Sequence, residues 1–168
     1  RDSVLCALAA RGIAQNIGRP GLERVSVIGL LADIGHLVLY QTTPELADEA
    51  RQSAAQTGEA LHLAEQRIIG CDFAEVGAAL MDQWRVPSSF AGAIGTQTRP
   101  RLGGDHAIDA AILNLARHIV DADARGESSK ETVARVEPSV WDLLDIAPDS
   151  IAAIREEAEL NLAAYLSV

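Results

Sequence analysis

Residues Gly29–Tyr40 read GLLADIGHLVLY. Leu30, Leu31, Ile34, Leu37 and Val38 recur at helical spacing and predict one broad apolar face, as expected of a central helix buried in an all-helical domain. Asp33 falls on the flank of that face. A carboxylate beside a packed surface needs hydrogen bonds, a cation or water, because an isolated buried charge is very costly. It is the first residue of the chain that asks for a chemical explanation.

The chain around this stretch has 168 residues, enough for one domain that closes a core without disulfides or a structural metal. Hydrophobic residues make up 48% and aromatics only 4%, so the core is expected from Ala, Leu, Ile and Val in closely packed helices. The formal charge of −10 disfavours direct binding to nucleic acid or to anionic membranes. There is no Lys/Arg run, and Lys130 is the single lysine. Cys6 and Cys71 lie far apart with no CxxC partner, which argues against a disulfide framework or zinc site and fits two small core residues in a reducing compartment. No apolar run reaches membrane-spanning length and the first residues lack a secretory pattern, so a cytoplasmic location is expected.

Helical periodicity extends in both directions from the opening stretch. Val4, Leu5, Leu8, Ala9 and Ile13 place a helix over Ser3–Ile17, stopped by Gly18 and Arg19-Pro20. Because this helix begins without a visible cap, an additional N-terminal part is expected. The next helix is expected to run from about Leu22 through Tyr40. Thr42-Thr43-Pro44-Glu45 then starts a helix ending near Gly58, and Glu59–Ile69 forms another that stops at Gly70. Asp72 and Glu75 have capping-box spacing ahead of an apolar face of Phe73, Val76, Leu80 and Trp84.

After Val86-Pro87, Ser88 or Ser89 is expected to cap a helix carrying Phe90, Ala91 and Ile94. Thr96–Gly104 reads as a loop, with Asp105 capping a long helix to about Ala124. Arg125–Lys130 reads as an exposed turn. A short helix near Val140–Leu144 precedes a last one with Ile151, Ile154, Ala158, Leu162 and Tyr165 or Leu166 inward. No segment shows the two-residue alternation of strands. The expected architecture is all-α and compact, with residues 1–124 as a helical core and 125–168 as an extension packed on the same domain.

Three signatures together carry a family resemblance. GLLADIGHLVL resembles the GLLHDIGKLVL signature of the HD superfamily. Asp72–Leu80 followed by Trp84-Arg85-Val86-Pro87 is similar to H-A-E-V-G-A-x-L then W-x-(L/V)-P, and Ala93-Ile94 stands where A-I precedes a histidine pair. Over roughly residues 1–120 the order and spacing resemble the HDOD family, HD-related output domains of bacterial signalling proteins, specifically the second half of the domain plus its last helices. The resemblance implies a compact multi-helix fold of HD type.

In metal-dependent HD relatives the His-Asp pair supplies ligands, and here it reads Ala32-Asp33. Phe73 stands at the histidine before A-E-V-G, Gln97-Thr98 at the His-His pair, and Arg117 near an aspartate of the following helix; Asp2 or Ser3 falls where an early histidine would lie. A di-metal phosphohydrolase needs several imidazole and carboxylate ligands to hold its ions and lower the pKa of a bound water. Ala and Phe cannot ligate, Gln and Thr are poor neutral substitutes, and Arg117 adds a positive charge. Asp33, Gln97, Thr98 and Arg117 are therefore expected to line a remnant pocket without metal, cofactor or catalytic role. For Asp33 two readings stand: a leftover ligand or pocket anchor, or a carboxylate held by backbone groups or by Arg117.

The histidines offer no ligand spacing. His36 is expected nearly opposite the apolar face, His62 lies on a separate helix, and His106 and His118 are far apart on the long one. There is no G-x-S-x-G elbow and no Gly-rich phosphate loop. The resemblance implies a non-catalytic signalling domain that acts through protein contact, with a response regulator, a cyclic-di-GMP enzyme or a second copy of itself as partner. The alternatives are a residual phosphohydrolase or cyclic-dinucleotide phosphodiesterase at Asp33, and a small-molecule or nucleotide sensor using the remnant pocket.

Overall fold

The computed structural model describes residues 1–167 and is all-α, with no strand among the described residues. Helix α1 spans Asp2–Asn16, α2 Leu22–Leu31, α3 Ile34–Thr42, α4 Pro44–Thr57, α5 Leu61–Ile68, α6 Phe73–Gln83 and α7 Ser88–Thr96. A 3-10 segment, Pro100–His106, leads into α8 (Ala107–Arg125), followed by α9 (Ser129–Arg135), α10 (Pro138–Leu144) and α11 (Ser150–Leu166). None of the described helices is long and apolar enough to cross a membrane.

One main core runs through most of the chain, from Leu5, Ala9 and Ile13 on α1 to Ile112, Leu115 and Ile119 on α8 and Ile151 and Leu162 on α11. A small satellite core of Leu39, Ala47, Phe73 and Ala74 ties α3 and α4 to α6. Trp141 of α10 packs against the main core, whereas Trp84, at the end of α6, is 55% exposed.

The helix expected over Leu22–Tyr40 is broken at Ala32-Asp33. In an unbroken helix the Ala32 carbonyl would accept the amide of His36; here that amide donates to the Asp33 carbonyl, at 3.0 Å, and the Ala32 carbonyl accepts Nε2 of Gln97, at 2.9 Å. A side chain from α7's end thus stands in for one rung of the helical ladder.

The buried side of this stretch also differs from expectation. Leu30 and Leu37 are 45% and 55% exposed, while Gly29, Ala32 and Gly35 are buried. A Cβ on Gly29 would lie 3.0 Å from the Ala10 Cβ, and one on Gly35 only 1.8 Å from the Phe73 carbonyl oxygen. The small residues let backbones approach, and the leucines are left outside.

Four further expectations are corrected. The supposed loop Thr96–Gly104 is partly 3-10 helix, so α8 begins only after His106 and Asp105 does not cap it. The turn at Arg125–Lys130 contains the start of α9, where Ser128 accepts the Glu131 amide in a capping box. Helix α7 follows Pro87 with no side-chain cap, so neither Ser88 nor Ser89 caps it. Trp84, Tyr165 and Leu166 are exposed, because each stands at the end of its helix beyond the packed turns. The Asp72–Glu75 capping box and the stop at Gly58, a left-handed cap with φ of 75°, are formed as the sequence predicts.

Candidate functional site

The break between α2 and α3 turns Asp33 toward α8. Asp33 is the residue before α3, the position where a carboxylate usually caps a helix, yet its side chain makes no capping bond. It pairs instead with the Arg117 guanidinium of α8, the two side chains being 32% and 21% exposed. Burial pulls the Arg117 guanidinium below its ordinary value, with Asp121 and Cys6 acting in the opposite sense. It stays charged regardless, since guanidinium does not lose its proton in proteins.

Phe73, buried at the start of α6, completes this arrangement. The Arg117 guanidinium carbon lies 4.3 Å from the ring centroid, within cation–π range. The His36 imidazole stacks on the same ring at 4.1 Å and 13° between planes. Two groups this close to one centroid occupy opposite faces, so the ring is sandwiched between α3 and α8. Its position is fixed by the approach at Gly35 and by the carboxylate of Glu65, whose Oε2 accepts the Phe73 amide at 2.8 Å. The other Glu65 oxygen lies 3.1 Å from His36 Nδ1.

His36 therefore faces the interior of the site, contrary to its expected place on the outer side. The helical register restarts at Ile34, so an extrapolation from α2 puts the imidazole on the wrong side.

Gln97 is fully buried, and its Nε2 donates to the carbonyls of Ala32 and Ile94 at 2.9 and 3.0 Å. Its backbone carbonyl accepts Nδ2 of Asn114 at 2.9 Å, and His118 Nδ1 lies 2.8 Å from the Asn114 carbonyl. Those donations fix both amide orientations, and they leave Gln97 Oε1 and Asn114 Oδ1 buried without a hydrogen-bond partner. Thr98 is half-buried and takes no part in these bonds.

The structure thus joins Asp33 to Arg117 and places Gln97 beside them as a backbone brace, with Thr98 apart. Sequence reading missed Asn114, whose signal was a lone amide one turn before Arg117 on a helix with an apolar face. It also missed Glu65, whose partners lie on other helices. Cys6 of α1 is buried, and burial pushes its thiol up to about 11 against the opposing effect of Arg117, so it is a protonated core residue.

A metal of HD type does not fit these residues. Ala32 and Phe73 offer no donor atom, the Asp33 carboxylate is already paired with a guanidinium, and His36 is paired with Glu65. Among the described residues there is no group of three or more His, Cys, Asp or Glu arranged to hold an ion. What the arrangement does supply is a junction of α2, α3, α6, α7 and α8 held by hydrogen bonds, an ion pair and an aromatic contact.

The family profile described as HDOD domain matches residues 1–100. No curated protein matches the chain. Among solved structures, a candidate signal transduction protein from Marinobacter aquaeolei VT8 superposes with a TM-score of 0.79 at 23% identity, over 99% of this chain and 37% of its own. A candidate phosphohydrolase from Shewanella amazonensis SB2B gives 0.73 at 20% identity, over 94% of this chain and 61% of its own. The MmoQ response regulator from Methylococcus capsulatus str. Bath gives 0.62 at 25% identity, over 92% and 58%. The chain therefore spans less than two thirds of the length of each of these proteins.

Proposed function

The chain belongs to the HDOD domain family, and from that premise we propose that it is a non-catalytic signalling domain that works by contact with another protein. The observation that carries the reading is the Asp33–Arg117 pair under the Phe73 ring, because it spends on internal packing the carboxylate that hydrolysis through a bound metal would require. What remains is a braced helical surface, on which Val27, Leu30 and Leu37 stand exposed. The partner class is a response regulator, a cyclic-di-GMP enzyme or a second copy of the chain in the cytoplasm. Likeness to a candidate signal transduction protein and to a response regulator supports the signalling context.

The test is to load the purified protein with manganese or iron, remove loose ions, and measure metal content together with phosphodiester hydrolysis. The expected outcome is neither stoichiometric metal nor metal-stimulated cleavage; near-stoichiometric metal with turnover would replace this reading by that of a phosphodiesterase. Because the chain carries a net charge of −10, association with a partner's basic surface is expected to slow as salt rises.

A further inference from the structure

We propose that Arg117 is the resident cation of this site: its guanidinium joins the carboxylate at the α2–α3 break to α8, the task that a bound ion would otherwise perform. The proposal rests on the reading above, that the site works without metal, and says what replaced it.

Three observations support it. First, Asp33 stands where a capping carboxylate belongs, yet its side chain leaves the α3 amides and pairs with Arg117. Second, the guanidinium lies over the face of a 2%-exposed phenylalanine, where the ring quadrupole favours a cation. Third, two hydrogen bonds run beside the ion pair and connect the same elements: Gln97 to the Ala32 carbonyl, and Asn114, one turn from Arg117, to the Gln97 carbonyl. Helix α8, the end of α7 and the α2–α3 junction are thus tied in a closed triangle with a positive charge at one corner. A side-chain cation cannot be chelated away and cannot activate water as a metal does, so this version of the site is metal-independent.

A double-variant cycle on the full chain tests the pair, with thermal melts of the wild type, Asp33→Asn, Arg117→Met and the combined variant. Methionine matches the apolar stem of Arg117 and removes the guanidinium with its charge. Arg117→Met is expected to lower the Tm by about 4 °C in the presence of Asp33, as expected for loss of a partly exposed pair in a chain of this size. In the Asp33→Asn background the same change is expected to cost much less, since no carboxylate is left unpaired. Equal losses in the two backgrounds would overturn the proposal and leave Arg117 as packing only. If Arg117→Met yields no folded protein, the combined variant decides: recovery of a cooperative melt supports the pair, and its absence overturns it.

The same melts are run with manganese and with EDTA. No shift of the wild type in either is the expected result. A manganese-dependent rise of the wild-type Tm would sink both this proposal and the function it rests on, whereas failure of the cycle alone sinks only the role given to Arg117.

Discussion

Helix α8 carries a buried carboxylate and a partly buried guanidinium, about two turns apart, and the fold treats them differently. Asp109 is 3% exposed and meets two cations, Arg19 Nε at 3.0 Å and Arg24 Nη1 at 2.9 Å, one for each carboxylate oxygen. Burial raises the Asp109 carboxyl, but the hydrogen bonds and charges of Arg19 and Arg24 outweigh it, and the net result lies below the usual carboxylate range. Arg117 has one carboxylate and an aromatic face, with two amide oxygens nearby that lack partners. The first arrangement is a fully paired staple that pins the α1–α2 connection and the start of α2 to α8. The second is a looser junction, held by one ion pair and an aromatic face, with buried amide oxygens beside it left unsatisfied.

The contrast is broken most directly at Asp109. Asp109→Asn leaves two guanidinium groups without their carboxylate and is expected to cost about 3 kcal/mol in urea unfolding, more than either single variant of the Asp33–Arg117 pair. A loss no larger than that of Asp33→Asn would mean that the two sites are energetically alike.

Acid gives the next largest effect. Because the folded-state pKa of Asp109 is lowered, its contribution is fully present above the unfolded value of about 3.9 and is lost as the pH falls through the folded value. The stability gap between wild type and Asp109→Asn is therefore expected to stay flat from neutral pH to about pH 5 and to narrow below it, each unit of depression being worth about 1.4 kcal/mol. A gap that stays constant into strong acid would remove the staple's electrostatic account.

The smallest effect is expected at Gln97. Gln97→Leu removes the brace on the Ala32 carbonyl but also a buried amide oxygen without a partner, so the two changes oppose each other and the net loss is about 1 kcal/mol. A much larger loss, measured in the same urea series, would show that the helix break depends on Gln97 alone.

Local chemistry in this chain was legible in its sequence, whereas long-range substitution was not. The Asp72–Glu75 capping box and the helix stops at Gly18 and Gly58 need only neighbouring residues, and they form as the sequence predicts. Ser128 and Glu131 carry the same capping spacing, but the polarity of that stretch obscured α9. The brace on the Ala32 carbonyl comes from an amide 65 positions away, which no local pattern announces. The buried side of α2 and α3 departs from the sequence expectation because hydrophobic periodicity weights leucine, while the closest contacts are made by Gly29 and Gly35. That Ala32 and Phe73 have no side-chain donor atom was visible in their residue types. That Asp33 turns away from its own helix to Arg117 was visible only in three dimensions.

The placement of the two tryptophans has an optical consequence. Trp141 sits against the main core and Trp84 stands in solvent at the end of α6, so their fluorescence reports on separate events. Unfolding red-shifts the emission of Trp141 while changing that of Trp84 little, and a protein that covers the end of α6 shifts Trp84 to the blue with the core intact. The molecule carries built-in probes for its own melting and for occupancy of that surface, and replacing either indole by phenylalanine isolates the other signal.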